Sequence, residues 1–176
     1  MKKIFALLLL TTPCYGGSVY IDQVGDNNVY YIQQTTSGNS EAILLNQGNS
    51  NSGTIVQEGS GDHQAFIGTP PTSRNYDGTF VTNNAAQNNS NNNLTILQSG
   101  SGNHTAAINL DATVSNNNNT ASITQTGDAN KSFTLALSGN NIGATVVQDN
   151  PTTADSSSMS IQCYTGTCSG YSYTKH

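Results

Sequence analysis

Residues 119–148 read N-T-A-S-I-T-Q-T-G-D-A-N-K-S-F-T-L-A-L-S-G-N-N-I-G-A-T-V-V-Q. Ala121 and Ile123 alternate with Ser122 and Thr124, the period of a strand with one buried face. After Gln125, Gly127 and Asn130 supply turn chemistry, and a second alternating run follows at Phe133, Leu135 and Leu137. Another glycine, Gly139, leads into Ala144, Val146 and Gln148, which return to the starting phase. Strand, turn, strand and turn in that order make one coil of a solenoid.

The unit Q-x-G-x-x-N recurs. Gln23, Gly25 and Asn28 form a first copy behind Val19 and Ile21, and Asn46, Gly48 and Asn51 a second behind Ala42 and Leu44. Gln98, Gly100 and Asn103 form a third behind Leu94 and Ile96. Gln125 and Gln148 head the fourth and fifth, the fifth without its glycine and asparagine. Half a coil after a lead position stands another amide: Gln34 after Gln23, Gln57 after Asn46, Asn109 after Gln98. Gln57 opens its own turn through Gly59 and Asp62. One such motif arises easily by chance in a chain with 24 asparagines; several copies with phased apolar pairs do not. The expected fold is all-β, a β-solenoid of about five two-strand coils, 22–27 residues per coil, with one inserted loop.

Residues 1–16 read as a secretory signal peptide: Lys2 and Lys3, an apolar run, then small residues near Cys14 and Gly16. The run is too short for a membrane span. Pro13 before Cys14 fits a lipidation site poorly, so cleavage near Gly16 is expected and no membrane insertion thereafter. Repeats are expected over residues 17–67 and 92–162. Between them, residues 68–91 break the phase, because Pro70 and Pro71 cannot donate to a central ladder. Phe80 and Val81 are candidates for a short strand within that insertion. Residues 163–176 form a cysteine- and tyrosine-bearing tail. Cys163 and Cys168 enclose Y-T-G-T, a loop that a disulfide would close in an exported protein, and Tyr164, Tyr171 and Tyr173 predict a final hairpin. The tail reads as a cap on the stack or as a docking element.

Without its leader the chain carries three basic and ten acidic residues, a net charge of −7, which argues against nucleic acid and anionic membrane surfaces as partners. Charged residues make up only 9% of the whole chain and Trp is absent. Apolar residues are few but in phase, which suits a thin core in which Asn and Gln stack in ladders along the axis. Asp26, Asp62 and Asp128, near turns, would slow stacking by like-charge repulsion.

The repeats resemble the curlin-associated repeat of curli subunits. The stretches that carry the resemblance are V-Y-I-D-Q-V-G-D-N-N (19–28), S-E-A-I-L-L-N-Q-G-N-S-N-S-G-T-I-V-Q (40–57), N-L-T-I-L-Q-S-G-S-G-N-H-T-A-A-I-N (93–109) and A-S-I-T-Q-T-G-D-A-N (121–130). The resemblance implies an exported, fibre-forming subunit of a bacterial surface amyloid, passing an outer-membrane pore with accessory proteins and serving adhesion and biofilm matrix. Its implied partners are further copies of itself, a related curli subunit and curli-type secretion machinery. The insertion, the 27-residue step from Gln98 to Gln125 and the cysteine-bearing tail depart from the regular pattern and leave a major or a minor, nucleating subunit open.

Catalysis, metal binding and cofactors find little support. His63, His104 and His176 lack a second His or Cys at metal spacing; Asp62 beside His63 reads as turn chemistry, and His104 after Asn103 as a solvated turn residue or the lining of a surface groove. No serine sits in a nucleophile elbow. The competing expectation is a monomeric solenoid binding a surface ligand such as a glycan or a partner protein. Thr95, Thr105, Thr124, Thr134 and Thr145 do not share one repeat position by sequence spacing, which argues against an ice-binding rank.

Overall fold

The structure, a computed structural model, describes residues 17–70 and 89–176 in full, and only the backbone of 5–8, 73–74 and 80–81. Most of the expected leader and most of the 68–91 insertion therefore lie outside the described residues.

The elements are β1 (Phe5–Leu8), β2 (Ser18–Val24), β3 (Val29–Thr36), β4 (Glu41–Gln47), β5 (Ser52–Gly59) and β6 (Gln64–Gly68). There follow β7 (Ser73–Arg74), β8 (Phe80–Val81), β9 (Asn93–Gly100), β10 (His104–Leu110) and β11 (Thr120–Thr126). The chain closes with β12 (Lys131–Gly139), β13 (Ile142–Gln148), β14 (Asp155–Cys163) and β15 (Cys168–Lys175). Two parallel sheets face each other, in the orders β1-β3-β5-β9-β11-β13-β15 and β14-β12-β10-β6-β4-β2. Successive strands in the chain alternate between the sheets, so the chain winds as a β-solenoid. β7 and β8 pair antiparallel, apart from both sheets.

Each strand sends alternate residues inward, and stacking puts like residues in columns. Gly53, Leu94, Ala121 and Ala144 make one, and Ile32, Ile55, Ile96, Ile123 and Val146 the next. The opposite sheet contributes Ala42, Ala65, Ala106 and Phe133, and Leu44, Ile67, Ile108 and Leu135. Ile55, Ile96, Ile123 and Val146 are 0% exposed, each worth roughly 1.5–3 kcal/mol on burial. Columns of β-branched and aliphatic side chains suit the pleat, because each fits against its equivalent one coil away.

The described residues make six coils, one more than the about five expected, and the tail supplies the second strand of the last one, β15. The expected terminal hairpin is corrected: β14 pairs with β12 and β15 with β13, both parallel. Alternation in sequence marks a strand but not the direction of its neighbour, and the Cys163–Cys168 arc carries the chain across to the other sheet instead of back along the same one.

Candidate functional site

Gln34, Gln57, Gln98, Gln125 and Gln148 occupy one column on the inner face of one sheet. Each Nε2 donates to the Oε1 of the next: 2.8 Å from Gln34 to Gln57, 3.0 Å to Gln98, 3.0 Å to Gln125 and 2.8 Å to Gln148. The second N–H of each reaches a carbonyl of the facing chain, as in Gln57 to Glu41 O at 3.1 Å and Gln125 to Thr105 O at 3.0 Å. A buried amide thus has its donors and its acceptor satisfied, which removes the roughly 1–3 kcal/mol penalty of an unpaired group. The step along the ladder is 23, 41, 27 and 23 residues, so the register survives both irregular coils.

A second ladder runs through the arc at one end of the coil. Asn28 Oδ1 accepts from Asn51 N at 2.8 Å and Nδ2 at 3.0 Å, and Asn51 Oδ1 accepts from Asn92 N at 3.1 Å and Nδ2 at 3.0 Å. Asn92 Oδ1 accepts from Asn119 N at 3.0 Å, and Asn119 Oδ1 from Ile142 N at 2.9 Å. Before each of these residues stands one in the left-handed region: Asn27, Ser50, Asn91, Asn118 and Asn141, all at φ 56–58°. Asparagine tolerates that conformation better than most residues, which explains the polar runs ahead of β9 and β11. The opposite arc stacks Asn39, Asp62, Asn103 and Asn130 through side-chain oxygens, with Asp62 N donating to Asn103 Oδ1 and Asn103 N to Asn130 Oδ1, both at 2.9 Å. Here Gly59, Gly100 and Gly127 stack backbone on backbone. Gly100 has φ +120°, and a Cβ there would lie 2.2 Å from Gly127 O.

The predicted positions therefore divide differently from the spacing. Gln23 and Asn46 are paired with each other on the opposite sheet and do not join the glutamine column. Asn46 Nδ2 crosses the core to donate to Tyr30 Oη at 2.7 Å, and burial pushes the Tyr30 hydroxyl up to about 12 against that hydrogen bond. Asn109 is half-buried, in register with Gly68 and Ala136, and belongs to neither ladder. Gly25 and Gly48 share the asparagine-ladder arc, with φ of 128° and 130°, while Gly59, Gly100 and Gly127 stand in the other arc. The phase shifts by half a coil across the insertion, because both half-coils begin with an amide and the 41-residue step conceals which is which. The same step hides a rank on the outer face, where Thr54, Thr95, Ser122 and Thr145 are in register.

Two groups were invisible to periodicity. His63 and His104, expected at solvated turns, are both 0% exposed and stack at 5.0 Å between ring centroids and 9° between planes. Their Nε2 atoms meet Glu58 O at 3.0 Å and Ser99 O at 3.1 Å. Desolvation holds both imidazoles below the ordinary histidine value. The second is a cleft of about 330 Å³ lined by Pro70, Asn109, Asp111, Ala136, Ser138 and Gln162, among others. It lies where residues 111–115 leave the coil. Asp111 there accepts from Ser138 Oγ at 2.7 Å and from Thr113, and these hydrogen bonds hold its carboxyl below the usual value.

The glutamine ladder ends at the last coil and the asparagine ladder one coil before it. Lys175 stands in register with Gln148, whose Nε2 donates sideways to Asp155 Oδ2 at 2.5 Å. Asp155 also accepts from Tyr173 Oη at 2.9 Å and Ser157 Oγ at 3.0 Å, with Lys175 Nζ at 3.5 Å. Burial pushes the Asp155 carboxyl up, and these donors together with Lys175 hold it below its ordinary value. In the asparagine arc Ile142 replaces the amide, and a Cys163–Cys168 disulfide closes the following turn. Comparison with protein families, with curated proteins and with solved structures finds no match. The columns and the two ends therefore carry the functional reading.

Proposed function

We propose that the chain is a secreted structural protein, a curli-like fibre subunit that self-assembles by stacking β-coils end on end for cell adhesion and biofilm matrix. The observation that carries the reading is the glutamine column, in which every internal rung repeats the same donor-to-acceptor step. Such a column gains by extension: each added coil pairs its backbone and its buried amides together, and slipped registers orphan both. The repeat resemblance supports the same reading, with export through curli-type machinery and other curli subunits as partners. The irregular coils and the altered last coil favour a minor or nucleating role over a bulk one.

The cleft at Asp111 and Ser138 favours a second reading, a monomeric exported solenoid that binds a surface ligand such as a glycan or a partner protein. One experiment separates the two. Protein diluted from denaturant is followed by amyloid-dye fluorescence, electron microscopy and fibre diffraction. Seeded growth of fibres with a meridional spacing of about 4.8 Å is the expected result. A β-rich protein that stays monomeric and never seeds would overturn the fibre reading in favour of the second.

A further inference from the structure

We propose that the His63–His104 stack is an acid-sensitive lock on the middle coils, closed while both imidazoles are neutral and released when they take up protons. The backbone fixes the tautomer of both rings. A backbone carbonyl only accepts, so Nε2 of His63, facing Glu58 O, and Nε2 of His104, facing Ser99 O, each carry the hydrogen. The lone pair is then on Nδ1. Both Nδ1 atoms are buried and find no hydrogen-bond partner among the described residues. A proton arriving at either would create a charge with no acceptor, beside a second ring 5.0 Å away.

The surroundings compensate only in part: desolvation outweighs the backbone at Glu58, Ser99 and Gly127 and the Asp62 carboxylate, which favour the charged rings. On one side of the pair, Ser40 Oγ accepts from His63 N at 3.3 Å. On the other, Lys131 follows His104 in register, 2% exposed, its Nζ donating to Asn150 O at 2.6 Å and Thr153 O at 3.1 Å. A second cation beside His104 raises the cost of protonating it. Asp62 adjoins His63 in sequence and favours its charged form, but one of its oxygens accepts from Asn39 N at 2.6 Å. Glu58 gives the ring its backbone carbonyl, while its carboxylate meets Gln33 Nε2 at 3.4 Å. Asp155, beyond Lys131, is engaged by Gln148, Tyr173, Ser157 and Lys175.

The sign follows from linkage. The folded coils favour neutral imidazole and the unfolded chain titrates near 6.5, so the contribution is complete above that pH and is lost as pH falls below it. Between pH 8 and pH 5 the unfolding equilibrium constant should rise, with about thirty-fold per ring as the ceiling that the unfolded-state value of about 6.5 sets.

The test is urea unfolding at both pH values of the full chain, of His63→Asn/His104→Asn, and of His176→Asn, which removes the remaining, exposed imidazole. The parent and His176→Asn are expected to show the acid loss, and the double variant to lose most of it. Equal stability of the parent at the two pH values, or an undiminished loss in the double variant, would overturn the proposal. Should the double variant fail to fold, nitrogen NMR of the labelled parent reads the rings directly. Neutral, Nε2-protonated signals persisting until the coil resonances collapse is the expected result; reversible titration near 6.5 with the coils intact overturns it.

Discussion

Gln98 shows what a single rung does. It receives a hydrogen bond from Gln57 and gives hydrogen bonds to Gln125 and to Gln64 O, at 1% exposure. Gln98→Ala removes an acceptor and a donor at once and opens a gap, so a loss of roughly 2–5 kcal/mol is expected in urea unfolding. Thr124→Ala, on the outer face of the same sheet, is the control and should fall within about 0.5 kcal/mol of the parent. Equal effects at the two positions would mean that the column contributes no more than any outward residue. Gly100→Ala belongs to the same scale, since the added methyl meets the backbone of Gly127 at φ +120°. Strain of about 1–3 kcal/mol is expected before the clash is counted, and the variant should unfold at clearly lower urea.

At the level of elements, the arcs decide how the coils join. The asparagine arc carries a ladder from Asn28 to Asn119, and both irregular coils leave the solenoid on that side, after β6 and after β10. Loops are tolerated there because the residues flanking the excursion, Thr69 and Asn89, Asp111 and Asn116, rejoin the stack through their own hydrogen bonds. The last arc relies on a covalent bond instead. Cys163→Ser/Cys168→Ser, or reduction of the parent, should therefore raise amide exchange in β14 and β15 while β9 to β12 keep their protection. Uniform loss of protection along the chain would show that the disulfide acts on the whole stack.

On the scale of the whole molecule, the solenoid has unlike ends. Its interior is a set of columns that would continue indefinitely, but its last coil carries Lys175 after Gln148, Tyr173 after Val146 and the disulfide-bonded Cys168 after Ile142. On the proposed fibre reading, growth measured on seeds should accordingly be slower at the end that presents this coil than at the opposite end. Equal rates at the two ends would mean that backbone pairing alone drives addition.

How much of this was legible beforehand depended on the range over which each signal acts. Alternation at Ala121 and Ile123, the turn glycines and the recurring amides are local, and they determined the all-β solenoid, its two strands per coil and the arcs between them. Which amides share a column was not local. Gln57 meets Gln98 across 41 residues, and half-coil periodicity assigns Gln23 and Asn46 to the same column with equal ease until the sheets close. The tail read as a hairpin and is a parallel strand of the stack, because pairing direction is chosen by the partner strand. His63 and His104 looked like surface turn residues, and stacking of neighbouring coils alone brought them together and removed their water. Local chemistry in the sequence determined the repeating unit; only the tertiary register, set by burial and amide pairing along the axis, decided which residues meet.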